Sequence, residues 1–310
     1  MMLQFDQQFF EEETRDGFCI SAMMKRAWAV ELEVLSQVGA VCKKCGIPYY
    51  AVYGSLLGAV RHKGYIPWDD DIDIAIKRED YIRLLKLLPE ELPEGYFVNS
   101  YYTCETHQQP WASVVNTKYI LQDAEKIKEF WGCPYICGID IFPIDFLPAD
   151  EQADDVYMNM YGIVFAVAQR YEEYKASGEL NQYLTQIEEL SGVTLKDDGT
   201  LRRQLLLLAD KIAGLYREEE CTELTLITSR LNRRNRAFKF PKEWFDKTVD
   251  MPFENITIPV PEEFHRALTV FYGEDYMTPV RGGGEHEYPF YKRQQQFLDD
   301  NHIILPKERA

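Results

Sequence analysis

Four aspartates at positions 69, 70, 71 and 73 crowd the stretch "IPWDDDIDIAI", and no other feature constrains the chain more. Like charges this close repel one another, and a buried carboxylate without a counter-charge is costly. A fold that takes this stretch into a core must therefore supply cations or keep its aspartates wet. The second half alternates charged and apolar residues, and alternate residues of an extended chain face the same way. Asp71 and Asp73 then project from one face while Ile72 and Ile74 face the core. Their Cα atoms would lie ~7 Å apart at the usual strand rise. That spacing suits two carboxylates that converge on one divalent ion, or that straddle two ions ~4 Å apart. A hard cation such as Mg²⁺ or Mn²⁺ removes the conflict of charge. Asp69 shares their parity, and Asp70 does not, so Asp70 is not read as a ligand. A third carboxylate from a neighbouring strand completes such a site, with Asp140 in "GIDIF" the first candidate and Asp145 the second. The bland alternative is a solvated, Asx-rich turn, which "WDDD" by itself would also suit.

The preceding residues weigh against a mere turn. "IPYYAVY" is rich in aromatic and β-branched residues and reads as a buried strand ending at Gly54-Ser55. "SLLGAVRHK" then reads as a short helix with Ser55 at its start, broken by Gly64 and Pro67. Gly54 permits close backbone approach, and Ser55 with the following amides suits a phosphate at a helix N-terminus. A strand, Gly-Ser, a helix and a strand with D-x-D make a phosphate-plus-metal arrangement.

Elsewhere, Ser21 is a natural N-cap for a helix running to about Cys45 and closed by Gly46. "REDYIRLLKLL" reads as a helix stopped by Pro89. "YFVNSYY", "WASVVNTKYIL" and "ICGIDIFPIDFLP" read as strands, and residues 151 to 236 are mainly helical in period. The tail returns to extended pieces, "TVDMPFENITIPV", then a helix, "EEFHRALTVFYG", and a glycine-rich loop. The expected organisation is a catalytic core over 1–150, a helical region over 151–250 and a C-terminal segment over 251–310 that packs on the core.

Thirty-four basic against 51 acidic residues give a formal charge of −17, which argues against binding nucleic acid or anionic lipid non-specifically. The start of the chain lacks a basic n-region and a long apolar stretch, and no run approaches the ~18 apolar residues of a membrane span. A cytoplasmic protein is expected, with contact at the inner face of a membrane left open. Seven cysteines suggest reduced thiols. Cys42 and Cys45 continue the apolar face of the first helix, and they are read as core instead of metal ligands, as are Cys133 and Cys137.

The order GS, D-x-D on the next strand and a third Asp on a later one resembles the polymerase-β type of nucleotidyltransferase fold. More narrowly, "GSLLGAVRHKGYIPWDDDIDIAI" is similar to the signature of the LicD family, which includes fukutin and fukutin-related protein. "GIDIFPIDFLP" and the tail blocks "MPFENITIPVPEEF" and "YGEDYMTP" extend the resemblance over most of the chain. It implies an α+β fold with a mixed sheet core and a helical region. It implies Asp69, Asp71, Asp73 and Asp140 as the metal-binding and catalytic carboxylates. It also implies transfer of phosphocholine or a polyol phosphate from a CDP-activated donor to a free or lipid-linked glycan, as in lipopolysaccharide or teichoic acid synthesis. Ser55 stands where the family more often has threonine.

In so acidic a chain a phosphate donor needs local cations. Arg61 and Lys63 follow the Gly-Ser helix and are the first candidates, with Lys118 a weaker one and His62 a hydrogen-bonding neighbour. His286, beyond three glycines, is placed on a loop that can close over substrate. The basic stretch "SRLNRRNRAFK" is read as a solvated face, with a clamp over the diphosphate as its functional reading. Trp68 either stacks on a base or sugar or packs beside the strand. An ordinary nucleotidyltransferase, which releases pyrophosphate from an NTP, and a non-catalytic binding module are the alternatives. Oligomeric state is not legible.

Overall fold

The longest helix is set by its two ends. Ser21, in extended backbone, accepts a hydrogen bond from Met24 N–H at 3.2 Å. Gly46, at φ 64°, turns its N–H back onto the Cys42 and Lys43 carbonyls. Between them runs α1, Ala22–Cys45, as the capping residues predict. The serine cap is worth about 1 kcal/mol. In this computed structural model residues 2–233, 235, 237–281 and 288–306 are described. Every residue of α1 from Ala27 to Leu35 is buried, including Glu31 and Glu33. A helix buried on all sides is a central core element, not a surface one.

Contacts divide the chain into two units, 1–98 with 113–142 and 247–310, and 99–112 with 143–246. In the first, α1 is followed by β1 (Tyr50–Ala51), α2 (Tyr53–Arg61), β2 (Asp73–Lys77) and α3 (Arg78–Glu91). Then come β3 (Phe97–Asn99), β4 (Ala112–Val115) and β5 (Gly138–Leu147). The central mixed sheet has the order β1-β2-β5-β4-β3. β1 lies antiparallel to β2, with Tyr50 opposite Ala75 and Ala51 opposite Ile74. Ile72, Ile74, Ile76, Ile139 and Ile141 are all buried, as the alternation requires. The tail from residue 247 belongs to this unit. It forms an antiparallel hairpin, Thr248–Phe253 with Ile256–Pro261, and a helix, Phe264–Tyr272.

The second unit contains Asn99 of β3, Ala112 of β4 and the distal half of β5, from Pro143, so the division falls within three strands. There Asp145 faces Thr225 in an antiparallel pairing with Glu223–Thr225. Helices Glu151–Gln169, Leu180–Ser191 and Leu201–Ala213 surround a core that includes Tyr157, Tyr161, Leu205 and Ile212. Among the described residues no helix is long and apolar enough to cross a membrane.

Several local expectations shift. α2 begins at Tyr53, two residues before Ser55, with Val52 as its extended N-cap residue. α3 passes through Pro89 to Glu91 instead of stopping there. Pro89 removes the bond one turn back to the Leu85 carbonyl, and the helix ends two residues later. The strand expected over "IPYYAVY" is reduced to two residues, and the acidic strand begins only at Asp73. The basic stretch of residues 229–239 is not a solvated face throughout. Arg230 is buried and paired bidentately with Asp154 at 2.7 and 2.5 Å, while Arg233 lies 5.0 Å from the Phe238 ring centre. Arg234, Arg236 and the loop position His286 lie outside the described residues.

Two glycines separate steric from conformational need. A Cβ on Gly58 would overlap the Gly64 carbonyl, whereas one on Gly46 would meet nothing within 4 Å. Gly58→Ala should therefore cost about 1–3 kcal/mol by forcing α2 off its loop. Gly46→Ala should cost about 1–2 kcal/mol through its left-handed backbone alone. Urea unfolding of the two variants checks the order.

Candidate functional site

The acidic segment is held from both sides of its backbone at Asp73. The Asp73 N–H donates to Ser55 Oγ at 2.8 Å, and its carbonyl accepts the Val52 N–H at 3.1 Å. Ser55, in the first turn of α2, is buried, and its hydroxyl thereby ties the helix start to the first residue of β2. One residue earlier, the Ile72 carbonyl accepts the Asp140 N–H at 2.9 Å. Asp140, on β5, thus joins the backbone midway between Asp71 and Asp73, where β2 begins. Asp73 is buried, and Asp69, Asp71 and Asp140 are half-buried.

Asp69 lies on the other side of the turn. A Cβ on Gly54 would overlap Asp69 Oδ2, so the carboxylate rests against the first turn of α2. Helix starts attract anions through unsatisfied N–H groups and the helix dipole. Gly54 is required here because Asp69 occupies the space of a side chain. Tyr53, just before it, holds a φ of 48°, an unusual conformation for a non-glycine residue.

Asp70, which is not read as a ligand, makes its contact with the tail. Its side chain is buried, and Oδ2 accepts the Phe290 N–H at 2.6 Å, which fastens the tail to the acidic segment. Asp145 lies in the second unit, fully buried. Arg61 donates to the Tyr276 carbonyl at 2.8 Å, and burial lowers its pKa from the ordinary value. His62 lies 3.1 Å from Asp16 through Nε2, and burial is the main reason its pKa is lowered. Lys63 is exposed, at φ 58°, with its carbonyl taken by the Glu254 N–H at 2.8 Å. Lys118 is exposed beside the Tyr119 ring. Among the described residues, no three His, Cys, Asp or Glu side chains stand as a metal-holding group. The donor set that the motif offers is nonetheless all carboxylate oxygen, the type that a hard divalent cation takes.

Two acidic residues with no assigned role support this segment. Glu254, at the hairpin turn of the tail, accepts from both terminal nitrogens of Arg15, at 2.5 and 2.9 Å. It also accepts the Tyr65 N–H at 3.2 Å, and its side chain presses on Gly64. The loop between α2 and the aspartates is therefore clamped by a half-buried, bidentate ion pair. Glu31 of α1 is buried and accepts the Tyr65 hydroxyl at 2.8 Å. Burial raises its pKa well above the ordinary 4.5; Tyr65 opposes the rise, and Asp70 and Asp71 add to it. The legible signals were a charge inside an all-round apolar helix for Glu31, and the tail block "MPFEN" for Glu254.

Residues 46–159 match the family model described as LicD/FKTN/FKRP, nucleotidyltransferase domain. Over 251 residues the chain is 26% identical to the lipopolysaccharide cholinephosphotransferase LicD of Haemophilus influenzae, covering 79% of this chain and 88% of that protein. Over 71 residues it is 37% identical to the ribitol 5-phosphate transferase FKRP of Homo sapiens, covering 23% of this chain and 13% of that protein. The resemblance drawn from the motifs holds.

Glu31 generates a prediction of stability. Its folded-state pKa is raised, so its contribution is full below about 4.5 and is lost as pH rises towards the folded value. Gln at this position still accepts from Tyr65 and carries no charge. Glu31→Gln should flatten the fall in thermal midpoint between pH 5 and pH 8, to be measured in metal-free buffer, with the largest gain at the alkaline end.

Proposed function

We propose that this chain, with its LicD-family domain at residues 46–159, is a phosphotransferase. In this reading it moves phosphocholine or a polyol phosphate from a CDP-activated donor to a glycan hydroxyl. The observation that carries the proposal is the backbone junction of the acidic motif. Asp73 is pinned to Ser55, and Asp140 is bonded to Ile72, so the Gly-Ser turn and three acidic positions share one locus. The names of the two relatives support the same class, one a cholinephosphotransferase and the other a ribitol 5-phosphate transferase.

Asp71, Asp73 and Asp140 would hold a divalent cation, Mg²⁺ or Mn²⁺, with Asp69 beside them. Such an ion neutralises a donor diphosphate and polarises the phosphorus under attack. The chain's own part is positioning. The start of α2 presents backbone donors to phosphate oxygens, at the place where Asp69 now rests against Gly54. Arg61, Lys63 and Lys118 supply positive charge along the donor. The acceptor hydroxyl forms a new O–P bond as the P–O bond within the diphosphate breaks, and CMP leaves. Asp69 or Asp140 takes the hydroxyl proton. Catalysis of this kind is mainly orientation and charge neutralisation.

The test is a donor screen with the full chain and Mg²⁺. CMP should appear from CDP-choline or CDP-ribitol when a glycan acceptor is supplied, and it should cease with a chelator. Asp73→Asn should lower the rate by about 100-fold or more, the scale of losing one electrostatic element of an active site. Pyrophosphate from NTPs, with no CMP from either donor, would point instead to a nucleotidyltransferase. Isothermal titration with Mg²⁺ provides a second check, since Asp71→Asn should weaken binding.

A further inference from the structure

The two segments that carry the acidic motif are also joined through the tail. Asp70 Oδ2 accepts the Phe290 N–H at 2.6 Å, one residue from both Asp69 and Asp71. Four residues on, Gln294 grips the segment that leads into β5. Its Oε1 accepts the Ile136 N–H at 2.9 Å, and its Nε2 donates to the Ile136 carbonyl at 3.0 Å. Between these grips Tyr291 stacks on Tyr135, with ring centres 4.4 Å apart and planes at 2°. The link has little slack, because the Lys292 N–H bonds the Pro289 carbonyl at 2.8 Å and the Gln295 N–H bonds that of Tyr291 at 2.9 Å. From another side, the Cys137 N–H donates to Asn116 Oδ1 at 2.9 Å, which fixes the same segment to the chain after β4.

Packing alone does not explain this arrangement. The helix that follows, Lys292–Asp300, buries only Leu298 among its residues. Asp70 is buried, and a carboxylate in the interior beside Asp69 and Asp71 costs more than an apolar residue would. An apolar side chain could fill the same space, but it would leave the Phe290 N–H unheld. We infer that residues 290–294 form a strap that sets the separation of Asp71 and Asp73 from Asp140, with Asp70 and Gln294 as its positioning residues. The inference rests on the metal reading above and names what aligns the two halves of that site. A small hard cation demands near-ideal donor geometry, so a loosened half loses affinity before it loses the fold. Groups behind the ligands that orient them act in this way.

Amide hydrogen exchange of the metal-free full chain, read by NMR, tests the strap without any ligand. The reporter is the Asp140 N–H, which bonds the Ile72 carbonyl. Asp70→Ala and Gln294→Leu should each speed its exchange about 10-fold, the scale of one buried hydrogen bond. Asp70→Asn keeps an oxygen for the Phe290 N–H and should leave the rate unchanged. Gln294 is half-buried on an exposed helix, so its replacement spares the core. Calorimetric titration with Mg²⁺ then reads the site itself. Asp70→Ala and Gln294→Leu should bind about 10-fold more weakly, and Asp70→Asn should bind as the unaltered chain does. The double variant, Asp70→Ala with Gln294→Leu, should lose no more than either alone, since one strap is released in each. Unchanged exchange at Asp140 in both single variants overturns the inference. Equal loss in Asp70→Asn and Asp70→Ala also overturns it, because Asp70 would then act through its charge. A lowered thermal midpoint with Mg²⁺ affinity untouched does the same, since the contact would then be structural only. The two readings fail separately. Faster exchange at Asp140 in a chain that binds no Mg²⁺ removes the metal reading and leaves the strap as the aligner of the two segments. Mg²⁺ binding that is indifferent to Asp70→Ala and Gln294→Leu removes the strap and leaves the metal.

Discussion

The Asp73 peptide is the hinge pin of the molecule's acidic locus. Its N–H is taken by Ser55 Oγ and its carbonyl by Val52 N–H. Two hydrogen bonds at a buried residue leave α2 no freedom to slide along β2, since either group unsatisfied in the interior would cost about 1–3 kcal/mol. The rest of the locus is built from that alignment. Gly54 comes to lie under Asp69, Asp140 enters beside Ile72, and the loop from His62 to Trp68 has a fixed span to close.

That loop is held by charge drawn from distant parts of the sequence. Glu254 bridges Arg15 and the Tyr65 amide. Tyr65 in turn stacks on Trp28, with ring centres 4.3 Å apart and planes at 2°, and donates to Glu31. Lys25, buried on the same helix, pairs with Glu13, which also meets Arg15 and whose pKa falls to about 2, chiefly through Arg15. The buried Lys25 and the half-buried Arg15 thus meet on one carboxylate, Glu13. Removing one partner of such a pair leaves a buried charge uncompensated, which is why these positions are costly to alter.

Much of this was legible in the linear pattern. Capping residues bounded α1 correctly because Ser and left-handed Gly act within one turn and need no tertiary partner. The isoleucines that alternate with aspartates are buried, as their spacing indicated. Legibility ended where long-range contacts intervene. Strand length depends on neighbours, so β1 shrank to two residues and β2 began late. Arg230 reads as one charge in a basic run until Asp154, 76 positions earlier, buries it.

By itself the sequence determined the chemistry that can occur, namely oxygen donors spaced along one segment, a Gly-Ser turn before them and few cations to offset them. Those features are covalent and local. Only the tertiary structure decided how each aspartate is employed, because identical carboxylates differ solely in what surrounds them. Asp70 became an anchor for Phe290, Asp69 a neighbour of a helix start, and Asp73 a buried joint of the backbone. It also decided that Arg281 would lie against Trp68 and Phe18, residues more than 200 positions away, since only folding brings ring faces and a distant cation within 6 Å.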